Sequence, residues 1–311
     1  MYLQYVTSYK LNVTRQNMYN QIDSNKRKTN ILFLLFFSLI IALSVFMAEY
    51  MDYGYGVVIV AFIFSMGMTW VSYYKADKIA LKSTGAREIT QNDNPYVYRM
   101  VENLCITAGI PMPKVHIIDS MALNAFATGR DPEHASIALT TGIIEALENE
   151  ELEGVIAHEL SHIKNYDIRV MTVVVVLVGT IALLSNIFFR ARLFGGSRRE
   201  SNNGGGQLGT ILAIAGLVLL ILSPIISELI KLAISRKREF LADASGSLLT
   251  RYPEGLARAL EKISHSSAKL EKVNSATAHL FIANPFKSSK VKSMFSTHPP
   301  VAERISALRG M

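Results

Sequence analysis

Four long stretches of the chain carry no charged residue, as expected of segments that lie in lipid. The segments around them are polar, as expected of segments that lie in water. The uncharged runs cover residues 29–48, 53–74, 170–189 and 208–227. About 20 apolar residues are enough to cross a bilayer as a helix. The pattern therefore predicts four transmembrane helices, arranged as two hairpins with polar segments before, between and after them.

The charges around the first hairpin predict its orientation. Basic residues precede the first run and follow the second, whereas the turn between these runs carries Glu49 and Asp52. Loops on the cytoplasmic side of a membrane are enriched in Lys and Arg. We therefore expect a multi-pass protein of the cell membrane, with its N-terminus and the segment from Lys75 onward in the cytoplasm.

The second hairpin leaves two arrangements open. Residues 190–207, between the third and fourth runs, hold four arginines and a stretch rich in Gly and Asn. If both runs span the membrane, these arginines lie outside, against the positive-inside tendency. A re-entrant or protein-covered hairpin avoids that conflict. We favour two spans, because the tendency is statistical and the first helices usually dominate; either arrangement returns the chain to the side it left.

Residues 75–168 have the short periodic elements of a domain in water. Asn94 and Pro95 predict the start of a helix that Gly109 ends. Alternating and β-branched residues predict three strands, at residues 114–119, 124–128 and 136–140, with a turn between the last two. A small sheet therefore precedes the next helix.

Composition agrees with a chain that lies partly in lipid. The sequence is 50% hydrophobic and only 18% charged, whereas soluble domains carry about 25% charged residues. The net charge of +7 comes from basic residues that flank apolar runs, so we expect no nucleic-acid partner. The single cysteine, Cys105, cannot form an internal disulfide, which fits a reducing compartment.

A His-Glu-Leu-Ser-His sequence begins at His158. On a helix, His158 and His162 point the same way, because residues four apart share a face. Two imidazoles placed in this way can hold one Zn²⁺ ion, and Glu159 can take the proton of a water molecule that the metal activates. The competing interpretation is a pair of histidines that are solvated or satisfied in a core.

A helix at this motif is indicated by its flanking pattern. Asn149 is the predicted N-cap, and acidic residues occupy the first turn. Leu152, Ile156, Leu160 and Ile163 form one apolar stripe to the side of the histidines. Catalytic zinc sites use three protein ligands, so a third ligand is expected from elsewhere in the chain.

Glu239, beyond the second apolar pair, is the candidate for the third ligand. Glu239 and Asp243 are four apart on a predicted helix and therefore share a face. Asp243 is then placed to accept the second ring N–H of a ligating histidine. Because basic residues precede Glu239, a solvated or ion-paired glutamate is the competing interpretation. Farther on, His298 precedes two prolines that predict a helix start, at a helix mouth or in a surface loop.

Together these segments resemble the HtpX-type family of membrane-embedded zinc proteases, which are related to the proteases that process prenylated peptides. The matching segments, in the same order, are residues 124–127, 158–167, 238–244 and 297–300 together with Arg304. The resemblance runs from about residue 20 to the C-terminus. It implies an α+β, mainly helical integral membrane protein with a gluzincin-like protease domain that faces the cytoplasm.

The resemblance also implies roles for single residues. Glu239 corresponds to the third zinc ligand and Asp243 to its supporting carboxylate. His298 and Arg304 correspond to residues near the cleft, where His298 would donate to the developing oxyanion. Asp167 corresponds to structural support only. Its nine-residue offset from His158 predicts a position on nearly the opposite face of the helix.

An edge strand for substrate is implied as well. Asn124, Ala125, Phe126 and Ala127 correspond to a strand to which an extended polypeptide can add as a further strand. The expected function is a zinc-dependent endopeptidase, with one Zn²⁺ per chain, that cleaves membrane or misfolded proteins on the cytoplasmic side. Its expected partners are membrane lipid and polypeptide substrates.

Two other classes of protein remain as alternatives. A catalytically silent membrane scaffold would keep the fold without needing Glu159. A metal transporter would carry ionisable residues within its spans, and the four apolar runs have none.

The expected organisation has five parts. It consists of a polar basic tail (1–28), a first transmembrane hairpin (29–74), a first part of the catalytic domain (75–168), a second hairpin (169–230) and a second part of the catalytic domain (231–311).

Overall fold

A computed structural model describes residues 2–50, 54–180, 236–268, 270, 277, 280–282 and 299–311. Its helices are α1 (Tyr2–Tyr50), α2 (Gly56–Thr84), α3 (Pro95–Ala108), α4 (Thr141–Ala146), α5 (Asn149–Lys164), α6 (Arg236–Thr250), α7 (Pro253–His265) and α8 (Val301–Arg309). Its strands are β1 (Arg87–Glu88), β2 (Lys114–Ile118), β3 (Ala125–Gly129) and β4 (Ala135–Thr140), with a 3₁₀ turn at Pro132–His134. Residues 167–180 are also helical.

The first two helices pack against each other, as a hairpin requires. In α1 the polar tail and the first apolar run form one continuous helix. By length and composition alone, one helix in the described part of the chain, over Val58–Thr84, qualifies as a membrane span. The third predicted run is described only as far as residue 180, and the fourth run and the loop before it lie outside the described residues.

The sheet has the strand order β1-β2-β4-β3. The three predicted strands are confirmed, whereas β1, which is only two residues long, had no sequence signal. β2 and β4 are parallel, and the other two pairs are antiparallel. β3 therefore lies at one edge of the sheet, next to α5.

Local capping explains where the helices begin. Asn94 caps α3 as predicted, since its side chain accepts the backbone N–H of Val97 at 3.1 Å. The prediction that Asn149 caps α5 is wrong by one residue, because Glu148 holds that position. The backbone N–H of Glu148 donates to the Glu151 carboxylate at 2.9 Å. Negative charge in the first turn also matches the positive end of the helix dipole.

Helix α5 packs between the sheet, α3, α6 and α7. Its apolar stripe is fully buried, as the sequence predicts. Two glycines allow close crossings. A Cβ on Gly246 of α6 would lie 3.0 Å from the backbone nitrogen of His158, and one on Gly154 would lie 2.8 Å from that of Leu256 in α7. Helix α6 therefore presses directly on the turn of α5 that carries the first motif histidine.

The helical segment 167–180 joins this domain to α1. Leu32, Phe36 and Ile40 of α1 form a buried cluster with Val170 and Val174. The first apolar run and the start of the third therefore lie side by side, and the third run begins just after the turn that follows α5.

Candidate functional site

The structure brings His158, His162 and Glu239 together in a buried cluster. One ligand-type atom from each residue lies within 4.8 Å of the other two. The two Nε2 atoms are 3.2 Å apart. Glu239 Oε2 lies 3.8 Å from Nε2 of His158, and Oε1 lies 3.6 Å from Nε2 of His162. The three side chains are each less than 5% exposed.

This donor set fits a zinc ion. Tetrahedral zinc with bonds of about 2.0–2.1 Å separates its ligand atoms by about 3.3 Å. The distance between the two imidazole nitrogens matches this spacing, and the glutamate oxygens are a few tenths of an ångström farther away. Two imidazoles and a carboxylate are also the ligands of one class of zinc hydrolase.

The ring nitrogen of His158 that faces away from the cluster contacts a carboxylate, which an arginine binds in turn. Asp243 Oδ1 lies 2.9 Å from Nδ1 of His158. Arg304 of α8 donates to both oxygens of Asp243, at 2.8 and 2.6 Å. Burial tends to raise the pKa of the Asp243 carboxyl, but the charge of Arg304 and the hydrogen bond from His158 keep that pKa below its usual range. An ionised Asp243 accepts Nδ1–H of His158 and leaves Nε2 with a free lone pair towards the cluster.

His162 has a similar arrangement, which the sequence interpretation missed. Asp167 Oδ2 lies 3.0 Å from Nδ1 of His162. The expectation that Asp167 lies on the opposite face is wrong, because α5 ends at Lys164 and the chain turns at Tyr166, whose φ is 59°. The left-handed conformation of Tyr166 turns the chain so that the Asp167 side chain points back towards α5.

Charge around His162 favours its protonated form in the metal-free site. Burial lowers the pKa of His162, yet the hydrogen bond to Asp167 and the charge of Glu239 outweigh burial and raise the pKa to about 9. A metal ion would take the place of that proton, since ligating histidines are neutral.

Arg238 is a further site residue that the motif analysis did not single out. Its Nη1 lies 3.6 Å from Asp167 Oδ1, and the side chain is only 3% exposed. Its position directly before Glu239 was visible in the sequence, but so were three other basic residues nearby. Burial of a charged side chain distinguishes Arg238, and burial is not readable from a basic run.

Glu159 lies between the two histidines on α5 and is 2% exposed. Its negative charge contributes to the raised pKa values of both His162 and Arg304. Glu159 is therefore close to the cluster without being part of the three-residue ligand set.

The predicted edge strand is at the sheet edge, but its outer side is partly covered. Ala125 and Phe126 belong to β3, and Asn124 precedes it. The backbone N–H of Ile282 donates to the carbonyl of Ala125 at 3.0 Å, and the Phe281 ring packs edge-on against Phe126 at 5.1 Å. The chain therefore lies along part of its own strand edge.

The C-terminal candidates have different outcomes. His298 lies outside the described residues. The helix predicted after the two prolines is confirmed as α8. Arg304, on that helix, is 1% exposed and reaches both Asp243 and, at 3.7 Å, Glu239 Oε2.

Comparison with known proteins found a family profile, related sequences and a solved structure. Residues 91–311 match the sequence profile of Peptidase family M48. A protease HtpX homolog of Caldanaerobacter subterraneus subsp. tengcongensis is 44% identical, with 96% of this chain and 99% of the relative covered. A protease HtpX homolog of Streptococcus uberis is also 44% identical, with 94% and 100% covered. The crystal structure of S. mikatae Ste24p aligns with 93% of this chain and 66% of its own, at a TM-score of 0.47 and 18% identity.

Proposed function

We propose a specific activity for this chain, which belongs to peptidase family M48 and is a metalloprotease. In this proposal it is a membrane-bound zinc endopeptidase that acts on the cytoplasmic side. The observation that carries the proposal is the buried cluster of His158, His162 and Glu239. These three residues would hold one Zn²⁺ per chain, and the bound ion would supply a Lewis acid that can polarise a peptide carbonyl and lower the pKa of water.

Glu159 is the general base in this proposal. It accepts the proton of the attacking water molecule and then returns that proton to the leaving amine. Its burial beside the histidines supports this role, because a carboxylate in a water-poor site is positioned and little screened. Asp243 and Asp167 orient the two imidazoles. Arg304 is a positioning residue, since it acts through Asp243.

We assign His298 to transition-state support, as a donor to the developing oxyanion. The described Pro299 and Pro300 lead directly into α8, whose Arg304 reaches the cluster. In sequence, His298 is six positions before Arg304, which supports this assignment.

Membrane insertion is supported by the surface of the first hairpin. Several large apolar side chains of α1 and α2 are exposed, namely Leu34, Ile59, Ile63, Met66 and Trp70. Contiguous apolar surface of this kind is typical of a membrane or protein contact. We propose two transmembrane hairpins, residues 29–74 and 169–230, with the N-terminus and the catalytic residues in the cytoplasm.

Substrates are proposed to be membrane or misfolded proteins with extended cytoplasmic segments. An extended segment can pair with the outer edge of β3, whose edge position supports strand addition. Main-chain pairing gives modest side-chain preference, which suits a protease that removes damaged proteins of many sequences.

The general-base role is tested with Glu159→Gln in detergent, with a casein-type substrate. Loss of a positioned general base costs about 10²–10⁴-fold in rate, so we expect cleavage to fall by at least that lower bound. The matched control is Glu150→Gln, an exposed glutamate on the same helix, which should cleave at the wild-type rate. Cleavage by Glu159→Gln at the wild-type rate would show that Glu159 is not the general base.

The third ligand is tested by counting zinc on the purified protein. We expect about one zinc per wild-type chain and a large loss of affinity in Glu239→Ala, since only two protein ligands remain. Unchanged stoichiometry and affinity in Glu239→Ala would remove that residue from the site.

A further inference from the structure

The middle of α1 contacts the turn behind the candidate metal site through one buried side chain, that of Asn25. The amide nitrogen of Asn25 donates to the carbonyl of Asn165 at 3.0 Å and to Oδ1 of Asp167 at 2.7 Å. Asn25 is 0% exposed. A carbonyl and a carboxylate can only accept hydrogen bonds, so the orientation of the amide is determined by its partners. The Asn25 side chain therefore donates two hydrogen bonds to the short turn at residues 165–167.

That turn is the one that redirects the chain after α5. Tyr166 has a positive φ of 59°, a conformation that costs a non-glycine residue free energy unless its surroundings hold it. The Lys26 ammonium lies 4.9 Å from the centre of the Tyr166 ring, in a cation–π contact. Two successive residues of α1 thus hold the turn, one at the Asn165 carbonyl and one at the Tyr166 ring.

Asp167 links Asn25 to His162, one of the proposed metal ligands. Asp167 offers Oδ1 to Asn25 and Oδ2 to Nδ1 of His162. Arg238 Nη1 lies 3.6 Å from Oδ1, an ion-pair distance that is longer than a hydrogen bond. Removing the Asn25 amide would take away the short hydrogen bond to Oδ1, so that the carboxylate and the His162 ring it contacts would be held less precisely.

We propose that Asn25 is a positioning residue of the metal centre, so that the first membrane helix is a structural part of that centre. Asn25 fixes the Asp167 carboxylate, and the carboxylate fixes the ring of His162. This inference rests on the proposed assignment of His162 as a metal ligand. The packing of Leu32 and Phe36 against Val170 continues the same contact surface along α1.

The first test compares three variants of the full-length protein in detergent. Asn25→Ala removes the donor, and Asn25→Asp keeps the size but places a second carboxylate against Asp167. Asn30→Ala is the matched control, because Asn30 is an exposed asparagine on the same helix. Zinc affinity is measured by competition with a chromophoric chelator, and the geometry of the site by visible absorption of the Co²⁺-loaded protein.

Substitution of a group that hydrogen-bonds a ligating histidine lowers metal affinity by about 10–100-fold. Asn25 acts one contact farther out, so we expect both Asn25 variants to lose about tenfold, the lower end of that range, with altered Co²⁺ bands, a lower kcat and an unchanged KM. Asn30→Ala should match the wild type in every readout. Wild-type zinc affinity and Co²⁺ bands in Asn25→Asp would overturn the proposal, including in the case that Asn25→Ala fails to fold.

The second test asks whether Asn25 acts through Asp167. In an Asp167→Ala background, adding Asn25→Ala should change zinc affinity by less than about twofold, because the shared contact is already lost. The same loss in both backgrounds would contradict a path through Asp167.

Glu239→Ala separates this inference from the proposed function. If that variant binds zinc like the wild type, the metal centre itself is wrong. If it loses zinc while Asn25→Asp does not, only the role of Asn25 is wrong.

Discussion

At the scale of single residues, the site depends on which atoms of its histidines carry protons. Asp243 and Asp167 each accept from Nδ1 of one histidine, which leaves the two Nε2 atoms 3.2 Å apart and facing each other. Two lone pairs that face each other at this distance repel. A metal ion relieves the repulsion because it accepts both lone pairs at once, and without a metal a proton on Nε2 of His162 does so.

The raised pKa of His162 gives a prediction for metal binding. Burial disfavours charge on the ring, but the hydrogen bond to Asp167 and the charge of Glu239 raise the pKa to about 9. In the metal-free protein this ring carries a proton at neutral pH, and a metal must displace it. Zinc affinity of the metal-free protein should therefore rise with pH, by up to about tenfold per unit, and level off above a pH of about 9.

The measurement is a chelator competition at several pH values, with the chelator's own protonation taken into account. Asp167→Asn is the informative variant, because a neutral amide withdraws the negative charge that raises the His162 pKa. Its affinity should level off at a lower pH than in the wild type. Affinity that is independent of pH between neutrality and about 9 in the wild type would contradict the prediction.

The sequence allowed part of this residue-level arrangement to be predicted. Spacing of four places His158 with His162, and Glu239 with Asp243, because that spacing is a property of any helix. Asp167 was misplaced because a left-handed residue at Tyr166 ends the helical geometry on which the offset was counted. Asn25 was not found, since its partners are 140 and 142 positions away and no local pattern signals the contact.

At the scale of elements, the crossing of α5 and α6 determines how far Glu239 lies from the histidines. A Cβ on Gly246 would lie 3.0 Å from the His158 nitrogen and 3.2 Å from the Ala157 carbonyl carbon, and neither backbone atom can move easily. We expect Gly246→Ala to push α6 outward, to lower the free energy of unfolding by about 1–3 kcal/mol and to weaken zinc binding.

Thermal unfolding and chelator competition on Gly246→Ala check both effects. Gly67→Ala in α2 is the control, because nothing lies within 4 Å of its added Cβ. A Gly246→Ala protein with wild-type zinc affinity would show that α5 and α6 can separate without disturbing the site.

The covered edge of β3 gives a prediction for substrate binding. The N–H of Ile282 occupies the Ala125 carbonyl that an added substrate strand would use. Ile282→Pro removes this donor, so an extended peptide should bind more tightly, with a lower KM and an unchanged kcat. Ile282→Ala keeps the N–H and is the matched control. A KM that is unchanged or raised in Ile282→Pro would argue against strand addition at this edge.

At the scale of the whole molecule, the metal centre joins segments that are far apart in sequence. The motif helix, α6, α8 and the middle of α1 each contribute a buried polar side chain. Apolar runs separate Asn25 from the motif helix, and the motif helix from α6, along the chain. Length and lack of charge predicted the runs, and apolar periodicity predicted the elements between them, because burial repeats with the geometry of each element. It did not predict how these elements pack, since packing depends on contacts such as the Gly246 crossing that leave no periodic signal.

This arrangement constrains the second apolar pair, because α5 and α6 lie on either side of it in sequence and pack against each other. The pair must therefore return the chain to the side from which it left, whether or not it crosses the whole bilayer. A cysteine at Ser201, between the two runs, distinguishes the two arrangements. The native Cys105 is buried, at 2% exposure, and should react little.

If both runs span the membrane, Ser201→Cys should be labelled by an impermeant maleimide added to intact cells. Protection from outside, with labelling after the membrane is opened, would establish a re-entrant pair. That result would also account for the arginines of residues 190–207, because they would then follow the positive-inside tendency. The proposed zinc site is compatible with either result, since both bring α6 back to His158, next to the turn after α5 that Asn25 contacts.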